Sequence, residues 1–546
     1  MAVICCSNDI PAARKLCGHI SALVGCHRCY KRASSEEGQR LNFGGFDDMN
    51  DWFRPRDPAE HRRNAIIWKH MQTKDDRKQH VSRIHVRWSE LLRLPYHNPV
   101  RHLIVDPMHN LFLGIAHWIV KRLWIDNGII MKCHLELMER RAKSIKMPAD
   151  LGRIPHKIAT GDKFSSFTAD QWKSFILIYA IPLMWDILLV SDQKILANFV
   201  RACSLLVSRI IDNNALEEAQ SRLLQVAQLI EEHYGLKVIT PNIHLALHIV
   251  ECCRDYGPLY SFWCYSFERM NGILVMQNWR LDNLLSSQLN NTKLTEALKL
   301  IQPRATSESL AIYDKFQYAE LCHFRQICRL EIEDTITGTE PFPGEMLSPK
   351  KNNISLPDDI YNILVEYYNA AYELEFLSIA ESVRETARYS DRRFIIVRPQ
   401  INQFKRIRIG SEIFGLANTP LYSKNLFILA KFLQDNNSVE FFPGQIQYFF
   451  EHEVSLLGRK QIHRLAYVRW FLLTPSHKTR FYCQVDDDVN SCNIEIWKKE
   501  FYNIGRDCII PVHNIFSRFI SAKFEVGKRN PVTYIAIIPI GRRFHM

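Results

Sequence analysis

The chain has 546 residues, too many for one ordinary hydrophobic core, so two or three domains are expected. Hydrophobic residues at 47% and charged residues at 23% exclude a mostly disordered chain. The net charge of +12 fits a polyanionic partner, and speaks to association rather than to fold.

The chain opens on a short apolar run, Ala2–Cys6, followed by Asp9, Pro11 and a stretch of helix formers, which reads as strand, Asp, helix. The run is too short, and lacks the basic flank, for a signal peptide, so the fifteen cysteines are expected to be reduced. Asp9 stands where phosphoryl-transfer folds place a metal ligand, and equally where a helix takes its cap. Cys26-His27-Arg28-Cys29 offers two thiols on one turn: half a zinc site, or a redox pair.

Between Arg54 and Arg93 eleven Lys/Arg stand against five Asp/Glu, with His61, His70, His80 and His85 among them. This reads either as a track for a nucleic-acid backbone or as a solvated helical face. From about Asn64 to Leu300 the pattern is mostly helical. The longest apolar run, Ser174–Val190, carries Pro182 and Asp186 and reads as a buried helix, so no membrane partner is expected. Asn214–Tyr234 has apolar residues at helical spacing, with Gly235 as its C-cap.

Thr240-Pro241-Asn242 starts a helix on which His244 and His248 share a face. Alone they read as structural histidines or as a ligand pair; with Cys26 and Cys29 they make a Cys₂His₂ set able to close a tetrahedral zinc site. Glu268, in an aromatic-rich stretch, is either a metal ligand or the ion-pair partner of Arg254 or Arg269. Gly338–Pro357, rich in Gly, Pro, Lys and Asn, reads as a linker, and Asp358–Tyr389 as a short helical piece. After about Phe394 the pattern turns to β, with strands expected over Gly444–Val454, Arg464–Leu473, Arg480–Val485, Asn493–Trp497 and Cys508–Val512. No H-E-x-x-H, G-x-S-x-G or P-loop string occurs, which argues against an unrelated metal hydrolase.

The order strand–Asp9, Cys26-x-x-Cys29, long helical stretch, His244-x-x-x-His248, Glu268 resembles the core of CACTA-type DDE transposases. Cys6–Lys15, Val105-Asp-Pro-Met-His-Asn-Leu-Phe-Leu-Gly114, Thr240–His244 and Tyr256–Tyr260 running on to Phe267–Gly272 resemble the same family, over roughly Ala2–Leu300. The resemblance implies an α/β, RNase H-like core carrying a mostly α insertion. Within it, Asp9 is the second catalytic Asp and Glu268 the final Glu, both ligands of Mg²⁺ or Mn²⁺. Cys26, Cys29, His244 and His248 are zinc ligands, and Asp106 and His109 form an Asp-x-x-His string of structural role. Two carboxylate-held ions suit DNA cleavage and strand transfer. The expected partner is DNA, in the nucleus, with a homo-oligomer by family analogy. Only eight residues precede Asp9 and none is acidic, so the first catalytic Asp is missing and catalysis is not expected of the chain as it stands.

Gly444–Phe450, Leu465–Phe471, Glu495–Trp497 and Ile510–Ile515 resemble a bromo-adjacent-homology domain, a chromatin-interaction module; the plainer reading is an accessory barrel around Trp470 and Trp497. The expected organisation is therefore 1–30, a remnant of the core; 31–255, the helical insertion; 256–302, the end of the core with Glu268; 303–392, linker and helical connector; and 393–546, a small all-β domain. The competing function is a non-catalytic, domesticated nuclear protein that binds chromatin through its β-rich domain.

Overall fold

The computed structural model describes residues 5–19, 25–34, 42–46, 53–269 and 336–540, apart from 149, 150, 156, 210, 343, 373, 387–393, 411, 416–424, 435, 437, 457 and 528–530. It is a mixed α/β chain of two compact units. Unit 1 comprises Met1–Lys143, Gly152–Lys293 and Cys483–Asn493; unit 2 comprises Ser144–Leu151, Leu294–Tyr482 and Ile494–Met546.

Unit 1 is helical among its described residues. Most of the strand read over Ala2–Cys6 lies outside the described residues; Cys6 makes one parallel bridge to Leu103. The helix α1 (Ile10–Leu16) follows, with the Asp9 side chain accepting from the Ala12 N–H at 2.7 Å, so the capping reading of Asp9 holds. The basic stretch folds as two helices, α2 (Pro58–His70) and α3 (Lys74–Ile84), capped by Asp57 and Thr73. A π-helical segment, α4 (Met108–Ala116), starts two residues after Asp106. The apolar run from Ser174 is a buried helical stretch in which Phe175, Ile176, Ile181 and Leu183 are within the core. No helix among the described residues is long and apolar enough to cross a membrane.

The helices α5 (Val190–Leu206) and α6 (Asn213–Tyr234) pack against each other, and bury Ile195 and Phe199 on one and Leu223, Val226 and Ile230 on the other. Asp212 caps α6, and Gly235, at φ +85°, ends it. Two short helices follow, α7 (Pro241–Ala246) and α8 (Ile249–Tyr256). Gly114 of α4 lets the chain around α7 come close: a Cβ there would stand 2.5 Å from the Asn242 side chain and 2.9 Å from the His109 carbonyl oxygen. In the same place Asn110 donates to the Asn242 carbonyl at 2.9 Å.

Besides the helices Asp358–Ala371 and Ile379–Thr386 and a two-stranded parallel pair, Phe376–Leu377 with Ile395–Ile396, unit 2 contains a ten-stranded antiparallel sheet. Its strands are β1 (Gly344–Ser355), β2 (Gln400–Ile409), β3 (Glu412–Phe414), β4 (Phe427–Leu433), β5 (Val439–Leu456), β6 (Arg459–Trp470), β7 (Glu495–Trp497), β8 (Ile509–Pro511), β9 (Ile515–Val526) and β10 (Val532–Ile540). The main path runs β1-β2-β5-β4-β9-β10-β7; β6 joins β5 to β8, and β3 pairs with β2. The long β5 bends as it goes, pairing with β4 at its start, with β2 near its end and with β6 from Gly444 on. Gly444 is required where β5 passes β6, since a Cβ would meet Val468 at 2.5 Å and Trp470 at 2.6 Å. The helix α9 (Asp358–Ala371) buries Ile360, Leu364, Tyr367 and Tyr368 in the same core as Phe449, Phe450, Leu465 and Ile515.

Two expectations fail here. The stretch read as a linker is largely β1, an edge strand paired to β2 with bulges between Leu347 and Lys350 and between Lys351 and Ile354. An edge strand tolerates proline and charge, which is why its composition imitates a linker. The strand expected over Arg480–Val485 is absent: Ser476 caps a helical turn, His477–Arg480, and turns follow. The boundary at residue 393 therefore cuts through a unit whose sheet already begins at Gly344.

Candidate metal centre

Cys26 and Cys29 sit in a tight knuckle. The Cys26 N–H donates to the Lys31 carbonyl at 2.9 Å, and the Arg28 N–H points at the Cys26 Sγ at 3.3 Å. The same turn is gripped from outside by Arg56, whose Nε donates to the Cys26 and Cys29 carbonyls at 2.8 and 2.9 Å. Arg56 is thus buried beneath the knuckle, and His61, His80 and His85 are buried as well. Part of the basic stretch therefore builds the interior; Arg63, Lys69, Lys74, Lys78 and Arg83 remain exposed.

His244 and His248 arrive from the other side, and differently from a simple helical pair. The helix α7 ends at Ala246, the His248 N–H reaches back only to the Leu245 carbonyl, and α8 begins at Ile249. The tightened turn nevertheless leaves the two rings 5.2 Å apart. His248 Nε2 lies 3.5 Å from Cys26 Sγ and His244 Nε2 lies 3.3 Å from Cys29 Sγ. All four side chains are at most 2% exposed, and their ligand atoms lie within 4.8 Å of one another. A tetrahedral ion holding S at about 2.3 Å and N at about 2.05 Å spaces neighbouring ligands by about 3.6 Å. The donor set therefore fits a metal ion, although its members come from sequence positions more than two hundred residues apart.

The surroundings supply what such a site needs. Glu251 Oε2 lies 3.3 Å from His248 Nδ1 and 3.2 Å from Arg28 Nε. A carboxylate behind a ligating imidazole fixes its tautomer and turns Nε2 inward. Burial opposes charge here, yet Cys26 and Glu251 hold the His248 imidazole up at about 9. Burial likewise opposes ionisation of Glu251, but His248 and Arg28 hold its carboxyl down at about 2. The Cys26 thiol, despite burial, is held well below its ordinary value by Cys29 and the two histidines. Phe43 lies beside His244 and Phe53 beside both rings, closing the site to water. Glu251, Arg28 and Arg56 are the residues that sequence reasoning passed over. Only Glu251, three residues after His248, carried a signal that spacing could have revealed.

A second cluster lies elsewhere in unit 1. Asp106 is fully buried: Oδ1 accepts from the Cys264 N–H at 2.8 Å, and Oδ2 from the His109 N–H at 2.9 Å and from His109 Nδ1 at 2.6 Å. The opposite ring nitrogen, Nε2, faces Glu268 Oε1 at 3.9 Å. Glu268 stands on a helical turn whose N–H bond goes to the Cys264 carbonyl, and its side chain is 57% exposed. Among the described residues Glu268 pairs with neither Arg254 nor Arg269; its charged neighbour is His109. The Asp106 bond, with help from the charges of Glu268 and Asp9, raises the His109 imidazole above its ordinary value. Asp106, His109 and Glu268 thus meet in one place. Compared with known proteins, the sequence matches no protein-family model and no curated protein.

Proposed function

We propose that this chain is a DNA-binding protein of transposase descent, with a structural zinc ion at Cys26, Cys29, His244 and His248. In this reading unit 1 derives from an RNase H-like core with a helical insertion. Asp9 and Glu268 are two of the carboxylates that would hold Mg²⁺ or Mn²⁺ for DNA cleavage and strand transfer. The observation that carries it is convergence: Asp106 and Glu268, far apart in the sequence, both reach His109, at 2.6 and 3.9 Å. The exposed Arg63, Lys69, Lys74, Lys78 and Arg83 of α2 and α3 supply a phosphate-binding face. Nuclear residence and self-association belong to the same proposal. The test is fluorescence anisotropy of the zinc-loaded chain on duplex DNA across a salt series. Affinity is expected to fall tenfold or more between about 50 and 200 mM salt, and to weaken further when Lys69, Lys74 and Lys78 are changed to Ala together. Absence of binding at the lowest salt, or binding indifferent to salt, would sink the reading.

The second reading, chromatin contact through the β-rich region without catalysis, is favoured by unit 2 having a core of its own. It predicts nucleosome binding by the full chain that survives the triple Lys→Ala change. It also predicts no effect of Asp9→Ala or Glu268→Ala.

A further inference from the structure

A recess with about 70 Å³ of open space lies beside the cysteine knuckle, lined by the stretch that follows Cys29 and by the first turns of α2. Two guanidinium groups border it, those of Arg32 and Arg56, together with Tyr30, Asp57, Glu60 and His61. Its charges do not cancel in pairs. Asp57 is committed to its own helix: Oδ1 accepts from the Ala59 N–H at 2.9 Å, and Oδ2 faces Arg63, which is not part of the lining, at 3.8 Å. Glu60 Oε2 accepts from the Tyr30 hydroxyl.

The two arginines meet carbonyl groups only. Arg32 Nη2 donates to the Arg83 carbonyl at 3.0 Å, and Arg56 Nε to those of Cys26 and Cys29. Among the described residues no carboxylate pairs with either of them, and no hydrogen bond involves the Nη groups of Arg56. The Tyr30 ring, its centroid 5.2 Å from the Arg56 guanidinium carbon, gives that charge partial relief. Arg56 is only 8% exposed, so water screens it little. The thiolates of the knuckle are charges that a bound ion neutralises: Zn²⁺ with two thiolates and two neutral imidazoles carries no net charge. A buried guanidinium without a counter-ion is costly, and a second one beside the same recess adds like-charge repulsion.

We propose that this recess is an anion site that takes one phosphate group, held by the guanidinium groups of Arg32 and Arg56. It rests on the reading of Cys26, Cys29, His244 and His248 as a zinc site, since that ion removes the charge of the thiolates. A planar guanidinium presents paired N–H groups that match two oxygens of a phosphate. The open space equals about two water molecules at ~30 Å³ each, the scale of one tetrahedral oxyanion. The phosphate is either the free ion or part of a nucleic-acid backbone; α2, which borders the recess, also carries the exposed Arg63 and Lys69.

The test is isothermal titration of the full-length, zinc-replete chain with sodium phosphate at fixed ionic strength. The expected result is saturation at one phosphate per chain, without competition from acetate at the same concentration. Arg32 is exposed, so Arg32→Ala should leave folding and zinc content unchanged and weaken phosphate about tenfold or more. Arg56→Lys keeps a charge but loses the planar donor pair, and should weaken phosphate as well; because Arg56 also grips the knuckle, its zinc content and thermal midpoint are read alongside. A short DNA duplex added to the phosphate-loaded protein tells the two sources apart. Release of phosphate assigns the site to a backbone phosphate, and retention assigns it to the free ion. Heat that never saturates, or phosphate binding unchanged in Arg32→Ala, would overturn the site and leave the metal reading intact. Absence of zinc from the purified chain, measured before any phosphate is added, would defeat the metal reading separately.

Discussion

The two units solve the problem of burying polar groups in opposite ways. Unit 1 gathers Cys26, Cys29, His244 and His248 around a gap of ionic size, and braces them with the buried Arg28 and Arg56. Without an ion, two thiols and two imidazoles in an enclosed pocket repel, desolvate and compete for protons. Unit 2 pairs several of its buried polar groups with each other. Arg518 meets Glu412 at 3.2 Å, the Tyr368 hydroxyl donates to His452 Nδ1 at 2.7 Å, and His452 Nε2 donates to the Arg398 carbonyl at 2.8 Å. Two apolar clusters surround these groups. The difference is that unit 1 brings together a buried donor set that could hold a metal ion, whereas the polar pairs named in unit 2 satisfy each other within the chain.

The sharpest way to break this comparison is to remove the metal. Structural zinc in comparable sites contributes about 10 kcal/mol of apparent folding energy. Chelation, or Cys26→Ser, should therefore abolish amide protection in α6 and α7 while leaving β5 and β6 protected, as read by hydrogen exchange. Equal loss in both units, or loss in neither, would refute the contrast. The mirror experiment is Trp497→Ala, which empties a fully buried position packed with Leu429, Phe471 and Phe519. It should cost about 3–5 kcal/mol and lower the denaturant midpoint of unit 2 with zinc content unchanged.

Acid provides the third contrast. Burial depresses the His452 imidazole to about 4, against about 6.5 when unfolded. The unfolded chain therefore takes up the proton first as pH falls. The stability held by neutral His452 is full above about pH 6.5, and is lost progressively down to about pH 4, by about 3 kcal/mol in all. Urea unfolding of unit 2 across that window should show the slope, and His452→Gln should flatten it. A smaller effect tests the support of the metal site. Glu251→Gln keeps the shape but removes the charge behind His248, and should weaken zinc about 10–100-fold in a competition with a chelator. An unchanged affinity would make Glu251 only the partner of Arg28.

Local order was legible in the sequence wherever the signal is itself local. The helix at Asn213–Tyr234 shows its apolar face and its Gly235 stop in the order of its residues. The Cys and His pairs could be read as ligands because each pair is short-range. The edge strand β1 could not, since nothing in Gly344–Ser355 is apolar enough to announce a strand; the partner β2 supplies its hydrogen bonds. Nor could the split of the basic stretch, because Arg56 and Lys69 look alike until Arg56 is found under the knuckle.

By itself, then, the sequence determined the helices of unit 1, the β character of the chain beyond Phe394 and the kinds of donor available to a metal. Only the tertiary structure decided that Cys26 and Cys29 meet His244 and His248, and that His109 Nε2 faces Glu268. The physical reason is range. Periodicity, capping and turn chemistry act over a few residues, whereas a metal centre needs atoms within a few ångströms whose places in the chain are set by how whole helices pack.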